Sequence, residues 1–193
     1  MREVKFSNPD ISEQDIENVG NVIRSGWLAH GQYSKLLEKL FCDYTGAKYC
    51  TTVSNCTAGL HLSCMAAGFQ AGDEVIVPSQ THTATSHAVE YQGAKAVFVD
   101  VNPITGNISI SDIKKKLNKN TKGIIPVHMA GYPCKMDEIV KICEEFDLIL
   151  IEDCAHAVGT RFDEKHVGNF GIAGCFSFYP TKQIATGEGG VVI

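Results

Sequence analysis

The sequence contains no run of about 18 consecutive apolar residues. It also has no C-x-x-C pair and no cysteine–histidine set at zinc-finger spacing. The first absence argues against a membrane span. The second leaves Cys42, Cys50, Cys56, Cys64, Cys134, Cys143, Cys154 and Cys175 as scattered thiols, best explained as reduced, mostly buried side chains of a cytoplasmic protein with no metal centre. An excess of positive charge is missing too. The 22 acidic against 17 basic side chains give a formal charge of -5, so no general field favours nucleic acid or an anionic membrane surface. The local run Lys114-Lys115-Lys116 is expected to be a solvated helix face. The opening residues, Met1 to Phe6, hold no apolar segment of the kind that directs export. No internal repeat, low-complexity tract or linker divides the chain.

What is present is ordinary globular material. Hydrophobic residues make up 44% and charged residues 20% of 193 positions, enough for one substantial core. Ser12-x-x-Asp15 followed by Ile16, Val19, Val22 and Ile23 predicts a capped amphipathic helix. The segment Ser25 to Gly31, which holds the single tryptophan, Trp27, breaks it before a second helix over about 34–44. Beyond Gly46 the pattern alternates: strand 48–53, helix 57–67, strand 74–77, helix 83–91, strand 95–101, helix 111–118, strand 123–128, helix 136–146, strand 148–152. This alternation predicts an α/β three-layer sandwich with a mainly parallel central sheet. Two further strand-like runs, 174–178 and 190–193, follow a segment containing Gly159, Gly168 and Gly171. The last run stops inside an apolar stretch, so the expectation is a domain cut short of a longer protein.

In open α/β sheets, ligands bind beyond the carboxyl ends of the parallel strands, and four such positions hold reactive or polar residues. Ser54 to Leu60 ends a strand and opens a helix, where free N–H groups suit a phosphate. A plain helix cap by Ser54, Asn55 or Thr57 is the commoner meaning of that pattern. Pro78 to Thr85 contains a flat side chain, His82, able to stack on a planar ligand or simply to cap a helix. Asp153 follows the apolar run 148–151 and Glu152, at the mouth of the sheet, where a carboxylate needs a cationic partner. Lys182 lies in a turn rich in Gly, Thr and Pro after the run 174–178; alone, it reads as a solvated loop residue. Together the four form one ensemble at one sheet edge. A protonated pyridine ring bearing a phosphate and an aldehyde would occupy all of them.

The chain from Phe6 to Ile193 resembles the DegT/StrS family of sugar aminotransferases, within the fold type I enzymes that use pyridoxal phosphate. The segments that carry the resemblance are Ser25-Gly26-Trp27-Leu28, Ser54 to Leu60, Gly93 to Asp100, Pro126 to Gly131, Glu152 to His156, and Phe176 to Gly190, all in family order. The resemblance implies that residues 1–193 are the cofactor-binding large domain, truncated before a C-terminal small domain. It implies that Lys182 forms the Schiff base and then moves the substrate proton, while Asp153 pairs with the pyridine nitrogen. His156 would hydrogen-bond the ring hydroxyl, and the backbone at Thr57 and Ala58, with the Ser177 hydroxyl, would hold the phosphate. His82 stands where the family usually has Phe, Tyr or Trp on the cofactor ring, and Cys56 where many relatives have glycine.

The implied reaction moves an amino group from an amino acid such as glutamate to a keto group of a nucleotide-linked sugar. Lys182 argues against the family's dehydratases, which carry histidine there. Family members are homodimers, and residues 27–31 are expected to approach the partner's site. Two other readings share these residues: a different fold type I reaction on an amino acid, and an inactive or regulatory fragment that keeps the fold.

Overall fold

A computed structural model describes residue 7 and residues 9–193; Met1 to Phe6, where the export reading and the start of the resemblance fall, lie outside the described residues. The first helix, α1, spans Glu13–Ser25 and begins with the expected capping box: Ser12 Oγ accepts from the Asp15 N–H, and the Asp15 carboxylate accepts from the Ser12 N–H. It ends at Gly26, whose left-handed φ of 71° closes the last turn. Its apolar residues Ile16, Val19 and Ile23 stay exposed, so the amphipathic face is uncovered by any described residue. Helix α2 (Gln32–Thr45) is anchored through Phe41, whose ring meets that of Phe176 edge-on at 5.0 Å.

The alternating half builds β1 (Thr51–Val53), α3 (Cys56–Ala66), β2 (Glu74–Pro78), α4 (Thr83–Glu90), β3 (Lys95–Val99), α5 (Ile110–Lys116), β4 (Thr121–Ile124), α6 (Met136–Phe146) and β5 (Ile149–Asp153). After these come the two-residue strands β6 (Arg161–Phe162) and β7 (Lys165–His166), then β8 (Ala173–Ser177) and β9 (Gly190–Val192). A seven-stranded sheet forms in the order β1-β9-β8-β5-β4-β2-β3. The run β8-β5-β4-β2-β3 is parallel throughout, and β9 runs antiparallel between β8 and β1. The fold is the α/β three-layer sandwich with a mainly parallel sheet that the alternation predicted.

Side chains alternate across the sheet with the two-residue period of a strand. Val75 and Val77 of β2 pack with Leu60, Cys64, Ala84 and Ala88 of α3 and α4, whereas Ile76 packs with Ile113, Ile139 and Ile142 of α5 and α6. On β5, Ile151 joins the α3/α4 layer and Leu150 the α5/α6 layer. The same alternation sends Asp153 and Glu152 to opposite faces of the sheet, and the site follows from this. All eight cysteines are free, six buried and two half-buried.

Two details depart from the sequence reading. Strand 48–53 shrinks to Thr51–Val53, and the strand expected over 123–128 starts and ends earlier, at Thr121–Ile124, beyond which Val127 makes a single bridge to Asp153. The glycine-containing segment before β8 holds an unforeseen hairpin, β6–β7, turned by Asp163 and Glu164 at φ 44° and 64°. Two successive left-handed residues make the tight primed turn that usually announces itself with glycine or asparagine.

Candidate functional site

At the carboxyl ends of the parallel strands lies a cavity of about 490 Å³, lined among others by Thr57, His82, Asp153, His156, Ser177 and Lys182. Six of the seven residues singled out from the sequence therefore face one space. Ala58 is not among the lining residues.

Helix α3 supplies one wall. Its cap is Asn55, whose Oδ1 accepts from the Ala58 N–H at 2.8 Å, while the Gly59 N–H bonds the Asn55 carbonyl at 3.1 Å. The Ala58 N–H is thus already committed. The Cys56 and Thr57 N–H groups bond no described residue and remain the open donors of this helix start. Gly190 of β9 packs against it: a Cβ there would sit 3.0 Å from the Cys56 nitrogen, so only glycine leaves this corner clear. Cys56 lines the cavity, but burial first, then the nearby Asp153 and Cys175, pushes its thiol well up, against the pull of Lys182. It is a packed, protonated side chain.

Asp153 ends β5 and is 3% exposed. Its Oδ2 accepts from the Thr85 hydroxyl at 2.7 Å and its Oδ1 from the Ala155 N–H at 3.1 Å. No described cation is paired with it. A buried carboxylate with acceptor capacity to spare, on the wall of a cavity, is a waiting partner for a positive group. Lys182 is half-buried on the same cavity, and no described carboxylate lies within ion-pair distance of its ammonium. It is held by its own N–H, which bonds the Tyr179 carbonyl at 2.9 Å, in a loop that Gly187 turns at φ 81°. Ser177 closes the end of β8, its Oγ accepting from the Tyr179 N–H at 3.3 Å.

The two histidines differ. His82 is exposed and caps α4, its Nδ1 accepting from the Ala84 N–H at 3.2 Å, and it also lines the cavity. His156 is half-buried, and its Nδ1 accepts from the Ala130 N–H at 3.3 Å. Burial, then the charge of Lys182, lowers its pKa below the usual histidine value, although Asp153 opposes the shift. The neutral ring therefore keeps its proton on Nε2 and can offer it as a donor.

Behind the sheet, Glu152 is fully buried and fully engaged. Its two oxygens accept from the N–H groups of Gly168 (2.8 Å), Phe170 (2.7 Å) and Gly171 (3.0 Å), and from His128 Nε2 at 3.1 Å. The Cys134 N–H donates to His128 Nδ1, which assigns the proton of that ring to Nε2. His128, Glu152 and Cys154 bring possible ligand atoms within 4.8 Å of one another, but the lone pairs of Glu152 are already spent on protein donors. The cluster is a structural tie. The sequence reading missed it, along with Thr81 and Thr85; a polar residue in a helical pattern gives no sign of a partner 68 residues away, as Thr85 has in Asp153.

The sequence pattern of the DegT/DnrJ/EryC1/StrS aminotransferase family matches residues 9–193. The chain belongs to this family. Among the family's curated proteins, GDP-perosamine synthase of Escherichia coli is 41% identical over 194 aligned residues, covering 100% of this chain and 53% of the relative. The crystal structure of an aminotransferase from Psychrobacter cryohalolentis superposes with a TM-score of 0.93 at 37% identity, over 95% of this chain and 47% of the other. The PLP-form of a Streptococcus pneumoniae protein described as a sugar aminotransferase gives 0.93 at 30% identity, over 99% and 53%. The chain spans about half the length of the curated relatives it matches. Among the described residues, no helix is long and apolar enough to cross a membrane.

Proposed function

We propose that residues 1–193 are the cofactor-binding large domain of a pyridoxal-phosphate-dependent aminotransferase that moves an amino group from an amino acid, such as glutamate, to a keto group of a nucleotide-linked sugar. The observation that carries this reading is the meeting, in one cavity, of Lys182, which pairs with no described carboxylate, the buried and half-satisfied Asp153, and the N–H groups at the start of α3 that bond no described residue. This donor and acceptor set fits a molecule with a cationic ring nitrogen, an aldehyde and a phosphate. Bound there, pyridoxal phosphate supplies an electron sink for the bond-breaking step.

The chain's own residues divide the remaining work. Lys182 would hold the aldehyde end of the cofactor through its amine and would be the base for the substrate proton. Asp153 holds the ring nitrogen. His156 offers its Nε2 proton to the ring oxygen, and its lowered pKa keeps it a neutral donor near neutral pH. His82, on the cavity wall, would pack against the ring. Thr57, with its N–H and that of Cys56, and the Ser177 hydroxyl cradle the phosphate; Ala58 contributes through the helix rather than through its own N–H, which the cap has taken. The protein is read as a homodimer of the cytoplasm, with residues 27–31 reaching the partner. Exposed Ile16, Val19, Trp27, Leu28 and Leu40 support such an interface.

The test is an absorbance band near the visible edge on adding pyridoxal phosphate, fixed to the chain by borohydride and located on the Lys182 peptide. Lys182→Ala should abolish both the band and the fixed label. Survival of the band in that variant would overturn the assignment. Amino transfer is then assayed with a panel of nucleotide-linked keto-sugars and glutamate.

A further inference from the structure

Asp153 is hydrogen-bonded to a pair of threonines, Thr81 just before α4 and Thr85 within it. Thr85, on α4, is fully buried, and its hydroxyl donates to Asp153 Oδ2 at 2.7 Å. A hydroxyl has one proton. The 2.6 Å contact between Thr81 Oγ1 and Thr85 Oγ1 must therefore run from Thr81 as donor to Thr85 as acceptor. The order is fixed: Thr81 to Thr85 to Asp153. Since Thr81 lines the cavity and Thr85 does not, the relay begins at the cavity wall and passes behind it to the far side of the carboxylate.

We propose that Thr85 is a positioning residue for Asp153, with Thr81 setting the direction of its hydroxyl, so that the carboxylate presents its open lone pairs to a cationic ring nitrogen. The proposal rests on the reading of Asp153 as the partner of that nitrogen. Two fixed donors on the protein side, Thr85 Oγ1 on Oδ2 and the Ala155 N–H on Oδ1, leave each oxygen a free direction toward the cavity. Without Thr85, the carboxylate keeps a single anchor and can rotate about its last bond. Selectivity for a protonated ring nitrogen would then fall, while capture of the aldehyde by Lys182 would continue. Thr85 works through Asp153 and touches no ligand itself.

The experiment compares binding of two probes to the 193-residue chain: pyridoxal phosphate, and its carbocyclic analogue with C–H in place of the ring nitrogen. Both carry the aldehyde and phosphate, so both report on Lys182 and α3. The wild-type chain should prefer pyridoxal phosphate, and Asp153→Asn should lose that preference. Thr85→Val, close in shape, should cut the preference roughly tenfold, as expected for loss of one charge-assisted hydrogen bond, with little change in affinity for the analogue. Thr85→Ser should retain it, and Thr81→Val should give a smaller loss. An equal weakening toward both probes in Thr85→Val would mark a packing defect and overturn the proposal, as would an unchanged preference. A wild-type chain that binds both probes equally would instead overturn the reading of Asp153, and one that binds neither would overturn the cofactor reading itself.

Discussion

Glu152 and Asp153 are consecutive carboxylates on one strand, and they serve opposite purposes. Behind the sheet, Glu152 is saturated by three backbone N–H groups and a histidine, all from protein. In front, Asp153 has two donors and a cavity. The difference shows how an α/β sheet separates stability from binding with the same chemical group: the pleat sends neighbours to opposite faces, and the surroundings decide whether the acceptor capacity is used up or left open. Glu152 gathers residues 168–171 and the segment after β4 around β5. Asp153 is held on the strand that this tie secures.

The largest expected effect breaks the closed side. Glu152→Gln places an amide NH₂ against N–H donors in a fully buried site, and should cost about 3–5 kcal/mol in denaturant unfolding. The matched change on the open side, Asp153→Asn, should cost below about 2 kcal/mol, because the Thr85 hydroxyl can reverse, accepting from the new amide and donating to Thr81. Equal losses would erase the distinction between the two faces. A smaller effect comes from Asn55→Ala, which removes the cap of α3. It should lower stability by about 1 kcal/mol and free the Ala58 N–H; urea melts measure the first and amide exchange at Ala58 the second.

The smallest effect is a titration shift. His156 should titrate below the ordinary histidine value of about 6.5, followed by NMR of its ring protons, and Lys182→Ala should move the midpoint upward by removing the second-largest cause of the lowering. Because the folded pKa lies below the unfolded one, the unfolded chain binds the extra proton. The His156 contribution to stability is therefore present above the unfolded value and is lost as pH falls through that value toward the folded one.

Much of this site was legible from residues. Lys182, Asp153, His82 and the segment holding Thr57 stood out by their places after strands, because a parallel sheet with helical crossovers must put those places at one edge, whereas His156 and Ser177 entered through the family resemblance. The first helix was legible from its capping box, since a cap is a contact over three residues. The β6–β7 hairpin was not, because its left-handed turn uses Asp163 and Glu164, residues without the usual turn signal. The competition for the Ala58 N–H was also hidden: Ser54, Asn55 and Thr57 were all candidate caps, and only the backbone at Asn55, extended at φ -169° and ψ 167°, chose among them.

By itself, then, the sequence determined the layering and the set of reactive side chains at the sheet edge, since apolar period and strand–helix alternation are local properties read along the chain. Tertiary structure alone decided which acceptors stay open. Glu152 and Asp153 look equivalent in the string Ile151-Glu152-Asp153-Cys154; their donors come from residues 16 to 24 positions away on one face and 68 away on the other, apart from one N–H two residues on. Hydrogen-bond satisfaction depends on distance in space, and only the packed sheet brings those partners within reach.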